Sequence, residues 1–399
     1  MRISTWQQAN TGVNNMLKQQ QALDTTHQQV SSGKRILTPA DDPTGATKLI
    51  KLSIALSGET QYERNMSSAE NRLMLSESLY GEMGNALQRA RELTLQANTA
   101  TQTNESRQII GREIAQIRDV MLDFSNTRNS QGEYIFAGMS TSTKAFSETA
   151  TGVSFQGDQV ERMVSIAPDQ QIKIGDSGFD VFQNIATSDG RFQLSSAGGN
   201  TGNALLSMSS QASAVSDTYT VNFIQASEGD PVTFEVTGAE SGLVAAGEYQ
   251  ADNDITFNGI TLSVSASPEN TDSYSISPMQ RSDIFNMLDT IANTLKNPAN
   301  DAASQASIYN TLGQSIDSLD QAMDHFLQFR ADAGHRLARL ETQLDVNADA
   351  QLNLQTAASK LEDLDLTEAL TRLNLQMTAL QAAQQSYVRV QGLSLFNYL

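Results

Sequence analysis

The sequence predicts a mainly α protein with β elements. It should be an elongated long-helix coiled-coil rod formed by both chain ends, with a small β element and an inserted outer β domain. Three observations point there. Each half of the chain carries one long stripe of apolar or small residues spaced alternately three and four apart, which is the signature of a helix face. The extreme ends carry two further, shorter stripes. The middle loses that period and shows short alternating runs between turn residues.

The N-terminal stripe is Ala9, Val13, Met16, Gln20, Leu23, His27 and Val30. It stops at "SSGKRILTPADDPTGATKLI", residues 31–50. Pro39 and Pro43 bias Thr38 and Asp42 away from helical geometry. Asp42 is placed to cap the next helix, with Pro43 at its first position, where a missing N–H costs nothing. Asp41 and Asp42 are better read as turn and cap residues than as a catalytic carboxylate pair.

The first long stripe runs Leu52, Ala55, Tyr62, Met66, Ala69, Leu73, Ser76, Tyr80, Met83, Leu87, Ala90 and Ala97, with Glu59 and Thr94 as polar exceptions. A helix over 44–100 would be roughly 85 Å long. After the cap-like "TNES" comes a second helix, with Ile110, Ile114, Ile117, Met121 and Phe124 on one face. Residues 132–185 contain strand-like pieces such as "RMVSI" and "QIKI". Residues 198–217 are small and polar and read as an exposed connection. Strand-like runs follow in "TYTVNFI", "PVTFEV", "DITFNGITLSV" and "DSYSIS". A short helix with Ile284, Met287, Leu288, Ile291 and Leu295 precedes Pro298.

The second long stripe holds Leu312, Ile316, Leu319, Met323, Phe326, Ala333, Leu337, Leu340, Leu344, Leu354, Ala358 and Leu361. It matches the first in length, so the two helices are expected to bury each other's stripe along their whole length. The last stripe is Leu366, Leu370, Leu373, Met377, Leu380, Gln384 and Tyr387. Asp365 and Glu368 before it stand at capping-box spacing. Both terminal seams are thin and partly polar, and such helices draw most of their stability from packing. The breaks at Pro39–Pro43 and Asp365 should lie side by side. The expected domains are 1–42 with 363–399, terminal coiled coil; 43–186 with 282–362, helical rod with a β hairpin region; and 187–281, outer β domain.

Composition narrows the function. In 399 residues there are 45 acidic against 26 basic side chains, a formal net charge of −19, and no cysteine. An acidic chain is poorly suited to nucleic acid or to anionic membranes, and its free copies repel one another. The lack of thiols excludes disulfides and thiolate metal sites. No run approaches the roughly 20 apolar residues of a membrane span. The N-terminus "MRISTWQQAN" is too polar for a cleaved signal peptide. His27, His325 and His335 show no ligand spacing, and no nucleophile, phosphate-loop or dinucleotide pattern occurs. "DNDITFNG", residues 252–259, lacks the spacing and closing glutamate of a calcium loop. The chain is therefore expected not to be an enzyme and to need no cofactor or metal.

Several segments together resemble the flagellin-like axial proteins of the bacterial flagellum, in the branch that joins hook to filament. They are "SSGKRILTPADDPTGATKLI", "SQGEYIFAGMSTSTKAF" at 130–146, "SFQGD" at 154–158, "KLEDLDLTEAL" at 360–370 and the ending "LSLFNYL" at 393–399. The resemblance covers about 1–185 and 282–399. Pro39 and the ending favour a junction protein over a divergent flagellin; an adhesin displayed on a filament is a further alternative. What the resemblance implies is a structural layer between the hook side and the filament. Its partners would be hook-associated protein 1, flagellin, further copies of itself, and a cytosolic export chaperone. It would be extracellular, passing out through the flagellar export apparatus without a cleaved signal. The expected assembly and chaperone contacts are Val13, Met16, Leu23, Val30, Leu370, Leu373, Met377, Leu380, Tyr387, Leu393, Leu395 and Phe396.

Overall fold

In a computed structural model, the structure describes residues 5–396 apart from 151, 188–191, 198, 211–216, 228, 252, 266 and 298. Six α-helices are present among these: α1 (Thr5–Ser32), α2 (Pro43–Ala97), α3 (Asn104–Ser125), α4 (Ile284–Lys296), α5 (Ala302–Glu362) and α6 (Leu366–Phe396). Between α3 and α4 lie fourteen short strands and one π-helical turn, Phe179–Gln183. The helical ends and inserted β region agree with the fold class read from sequence. Pro298 and Asp252 lie outside the described residues.

The chain divides into two compact units, residues 1–64 with 342–399, and residues 65–341. Both α2 and α5 contribute to each unit. This explains a departure from expectation. The α2 stripe is fully buried at Met66, Ala69, Leu73, Tyr80, Met83, Leu87, Ala90 and Ala97. Before Met66, by contrast, Leu52 and Tyr62 are half-buried and Ala55 is exposed. On α5, Leu312, Leu319, Phe326, Ala333 and Leu340 are buried, whereas Leu344, Leu354, Ala358 and Leu361 are only half-buried. The two stripes therefore do not bury one another along their whole length. In the larger unit α3, α4 and the β elements close the core. In the smaller unit, α2 and α5 meet through polar pairs: Asn347 Nδ2 donates to Glu59 Oε2 at 2.6 Å and Gln351 Nε2 to Glu63 Oε2 at 2.9 Å. A buried amide in a helix seam fixes register at a cost in stability. It also accounts for Glu59 interrupting the stripe. Thr94, the other polar exception, satisfies its buried hydroxyl on Ala90 O at 2.7 Å.

The core of the larger unit is aromatic. Phe136, Phe146, Phe182, Phe285 and Phe326 are all buried, and Phe182 lies 5.1 to 6.0 Å from the ring centres of the other four. The hairpin of β1 (Phe146–Thr149) and β2 (Gly152–Phe155) packs on it, and a second hairpin follows, β3 (Arg162–Ala167) with β4 (Gln170–Gly175). Ion pairs and hydrogen bonds tie the loop before the first hairpin, and the end of the second hairpin, to the helices. Arg72 donates to Glu133 Oε2 and to Ile135 O, each at 3.1 Å. Asp176 accepts from Arg336 and Tyr80.

A two-residue ladder, β5 (Ile185–Ala186) with β14 (Arg281–Ser282), leads to the outer β region. There β6 (Phe192–Ser196), β8 (Tyr219–Ile224), β9 (Thr233–Gly238), β10 (Gly242–Glu248) and β13 (Ser273–Pro278) form one sheet in the order β10-β9-β8-β13-β6. The second sheet contains β7 (Leu205–Ser210), β11 (Ile255–Phe257) and β12 (Ile260–Ser265), in the order β11-β12-β7. All pairings are antiparallel. Their inner faces bury Phe192, Tyr219, Phe223, Phe257, Leu262 and Tyr274. The stretch 198–217 is not one exposed connection, because β7 lies inside it, with Leu206 buried in the core of the outer β region. Its serines hide the alternation from a hydropathy reading.

Candidate assembly surface

The site is built on the two chain ends, both in the smaller unit. Helix α1 stops at Gly33, whose φ of 72° a side chain would disfavour. Beyond it the chain pairs with the break between α5 and α6. Lys34 faces Asp363 in an antiparallel bridge. Arg35 N donates to Glu362 O at 2.6 Å, and Leu364 N donates to Gly33 O at 3.0 Å. The Arg35 guanidinium adds a bond to Leu361 O at 2.8 Å and an ion pair with Asp42 at 3.5 Å. Lys34 pairs with Glu362, and the hydrogen bond raises its pKa.

Pro39 sits in a turn closed by Asp41 N donating to Thr38 O at 3.0 Å, where its fixed φ suits the second position. Asp41 Oδ2 accepts from the backbone of Thr38 at 2.8 Å and of Leu37 at 3.1 Å; the Thr38 bond above all lowers its pKa. Asp42 Oδ1 accepts from Gly45 N at 2.8 Å, capping α2 over Pro43. Asp365 Oδ1 accepts from Thr367 N at 2.9 Å and Glu368 N at 3.1 Å, capping α6. The Glu368 carboxylate takes Arg372, one turn on, at 2.6 Å.

From this junction α1 and α6 run antiparallel. The Tyr387 ring lies against Gly12, where a β-carbon would come within 3.2 Å of it. Val13, Met16, Leu17, Leu380, Tyr387 and Val388 line a groove of about 330 Å³. Met16, Leu23, Val30, Leu373, Leu380 and Tyr387 are half-buried, while Val13, Leu370 and Met377 are exposed. The pair therefore leaves much of its apolar surface open. For Leu393, Leu395 and Phe396 the backbone is helical, and their side chains lie outside the described residues.

Sequence reading left out several exposed apolar side chains of α1 and α6. Leu17, Leu375 and Val388 are 58%, 67% and 69% exposed. Leu17 and Val388 each follow a stripe member directly and line the same groove; Leu375, two residues from Leu373 and from Met377, lies on the opposite face of α6. Ile50, Ile54, Val346 and Leu352 add to the same unit. Eleven of the twenty-one large apolar side chains exposed among the described residues lie in this unit, which holds under a third of the chain. Charge is divided the other way. The smaller unit has ten basic and eleven acidic residues, leaving sixteen basic and thirty-four acidic in the larger. The near-neutral, apolar unit suits association, and the acidic unit carries the repulsion that keeps surfaces apart.

Among the described residues no group of three or more His, Asp or Glu could hold a metal ion. His325 is a core histidine. Its Nε2 lies 2.9 Å from Asp180 O, and burial lowers its pKa. No described helix is long and apolar enough to cross a membrane.

Comparison with known proteins agrees with this geometry. Residues 3–141 match the bacterial flagellin N-terminal helical region and residues 316–399 the C-terminal helical region, together more than half of the chain. The flagellar hook-associated protein 3 of Escherichia coli is 25% identical over 370 residues, covering 92% of this chain and 90% of that protein. The crystal structure of the flagellar junction protein FlgL from Legionella pneumophila superposes with a TM-score of 0.71 at 28% identity, covering 79% of this chain and all of that one. Flagellin 1 of Proteus mirabilis is 30% identical, but over only 31% of this chain. The chain belongs to the flagellin-like family of flagellar structural proteins, in its hook-associated protein 3 branch.

Proposed function

We propose that this chain forms the junction layer between the hook side and the flagellin filament, and that it assembles through α1 and α6. The observation that carries this reading is the half-open seam of those two helices: an apolar surface too thin to bury itself, set on the unit that carries almost no net charge. Neighbouring copies cover it within the layer, hook-associated protein 1 from one side and flagellin from the other. Before export a cytosolic chaperone covers the α6 edge, which would otherwise self-associate. The chain leaves the cell without a cleaved signal and ends in the extracellular flagellum. Leu370, Leu373, Met377, Leu380 and Tyr387 form that edge, with Leu393, Leu395 and Phe396 continuing it. Val13, Met16, Leu23 and Val30 supply the α1 side. The outer β domain, 187–281, supplies none of the residues proposed for this contact.

The span of the matches supports a junction protein over a flagellin, since the hook-associated relative aligns over nearly the whole chain and the flagellin over less than a third. Electron microscopy of a deletion strain tests the reading. Hooks ending in stubs, with flagellin released into the medium, are expected. Bald hooks with no flagellin made would indicate a filament subunit. Intact filaments with lost attachment would indicate an adhesin.

A further inference from the structure

We propose that the outer β domain, residues 192–278, is a hinged body latched onto α5, with the β5–β14 ladder as its pivot. Its core and the helical core share no residue. The pivot consists of Ala186 paired with Arg281 and Ile185 with Ser282, extended by Thr187 N and Oγ1 donating to Gln280 O at 3.2 and 3.0 Å. Among the described residues, α5 bonds the neck at Thr187 and the domain at Ala204. Ser318 Oγ donates to Thr187 O at 2.8 Å, and Asn310 Nδ2 donates to Ala204 O at 3.1 Å. The Ala204 carbonyl also accepts from Tyr274 within the domain, at 3.0 Å.

Between these points α5 and the β6–β7 edge do not close on each other. A cleft of about 840 Å³ separates them, and a second of about 320 Å³ lies on the other side of the neck. At Gly313, on the α5 wall of the larger cleft, a β-carbon would meet nothing within 4 Å. Packed interiors are close-filled and resist motion; a contact that runs through side-chain hydrogen bonds beside open clefts resists it less. Such a latch biases an equilibrium by at most about a hundredfold. Swinging the domain would break the latch and leave both cores intact, which is the condition for hinge motion. Each copy in a layer could then set its outer domain independently of its helices.

The chain has no cysteine, so paired spin labels report distances directly. One pair, Leu327→Cys on α5 with Leu243→Cys on β10, spans the hinge; both side chains are exposed. A control pair, Leu327→Cys with Leu95→Cys, reads the helical core. In the otherwise wild-type chain the hinge pair should give a broader distance distribution than the control. Asn310→Ala combined with Ser318→Ala should move weight to a second distance by tenfold or more, while the control pair keeps its width. Should the control widen in the double variant, Asn310→Ala alone, at a half-buried position, repeats the measurement. A hinge-pair distribution that the latch variants leave unaltered, whether narrow or broad, overturns the proposal.

Discussion

Arg336 grips the buried carboxylate of Asp176 through two parallel hydrogen bonds, 3.1 and 3.0 Å, joining the second hairpin region to α5. Lys173 lies 3.1 Å from the same carboxylate, and Tyr80 donates to it at 2.9 Å. Burial pushes the Asp176 pKa up, but Arg336, with Lys173 and Tyr80, outweighs it, so the carboxyl ends below its ordinary value. Asp176→Ala strands a half-buried guanidinium and a buried phenol. It should cost about 3 kcal/mol at neutral pH, read as a lowered denaturant midpoint. A carboxyl held low contributes fully above its ordinary pKa and loses that contribution as pH falls through the lowered value. The deficit of the variant should therefore shrink in acid. A deficit that stays constant from neutral pH to below pH 3 would count against this assignment.

The Arg35 contacts hold the two chain breaks together. Arg35→Ala removes the bonds to Leu361 O and Asp42. The side chain is nearly half exposed, so the loss should be about 1 kcal/mol or less. Hydrogen exchange at Leu364 and in the first turn of α6 should speed up by about fivefold at most. The buried part of α2, from Met66 to Ala97, should exchange as before. Equal acceleration in both places would mean that the break is not a local device.

Removing the outer domain should spare the helices. Ala186 and Arg281 face each other across the ladder, so a short Gly/Ser linker in place of 190–279 can close the gap. Most helical circular dichroism and a cooperative melt should survive. Loss of both would show one shared core.

Within the outer domain, Asp217 closes the β9–β10 turn. The Ser241 hydroxyl, at 2.5 Å, and the backbone N–H groups of Glu240 and Ser241, each at 3.0 Å, hold its pKa at about 2. Its contribution is present above the ordinary carboxyl range and disappears as pH falls toward about 2. Near-ultraviolet dichroism of the outer domain's tyrosines should fade over that window. In Asp217→Asn the acid step should flatten, from a less stable start at neutral pH. An unchanged acid profile would contradict the role.

How far sequence reached depended on what made each contact. The long stripes of Met66–Ala97 and Leu312–Leu340 were legible because three or more layers bury one face of each helix. The same period continues through Leu52 and Leu354, where burial ends, and no local pattern marks that limit. Strands with aromatic alternation, such as β8 and β13, could be read; β7 and β10 could not, because serine, alanine and glycine fill their outward positions. The cluster around Phe182 draws on a loop, a hairpin strand, the π-helical turn and the helices α4 and α5, so only the fold reveals it. At the candidate assembly surface the stripe residues of α1 and α6 were legible from their spacing. Leu17 and Val388 were not, because residues beside a stripe look like ordinary variation until the partner helix is seen to leave them uncovered.

The central claim is that the α6 edge is an assembly surface and not part of a self-sufficient core. Leu373→Asp with Leu380→Asp places two charges where burial against a partner would leave them unpaired, at a cost of several kcal/mol. The measurement is filament attachment in a deletion strain carrying the double variant, paired with the melting temperature of the purified protein. The account predicts hooks without filaments, flagellin in the medium, and a melting temperature within a few degrees of wild type. Normal filaments on most hooks, with the variant protein present in the layer, would contradict it.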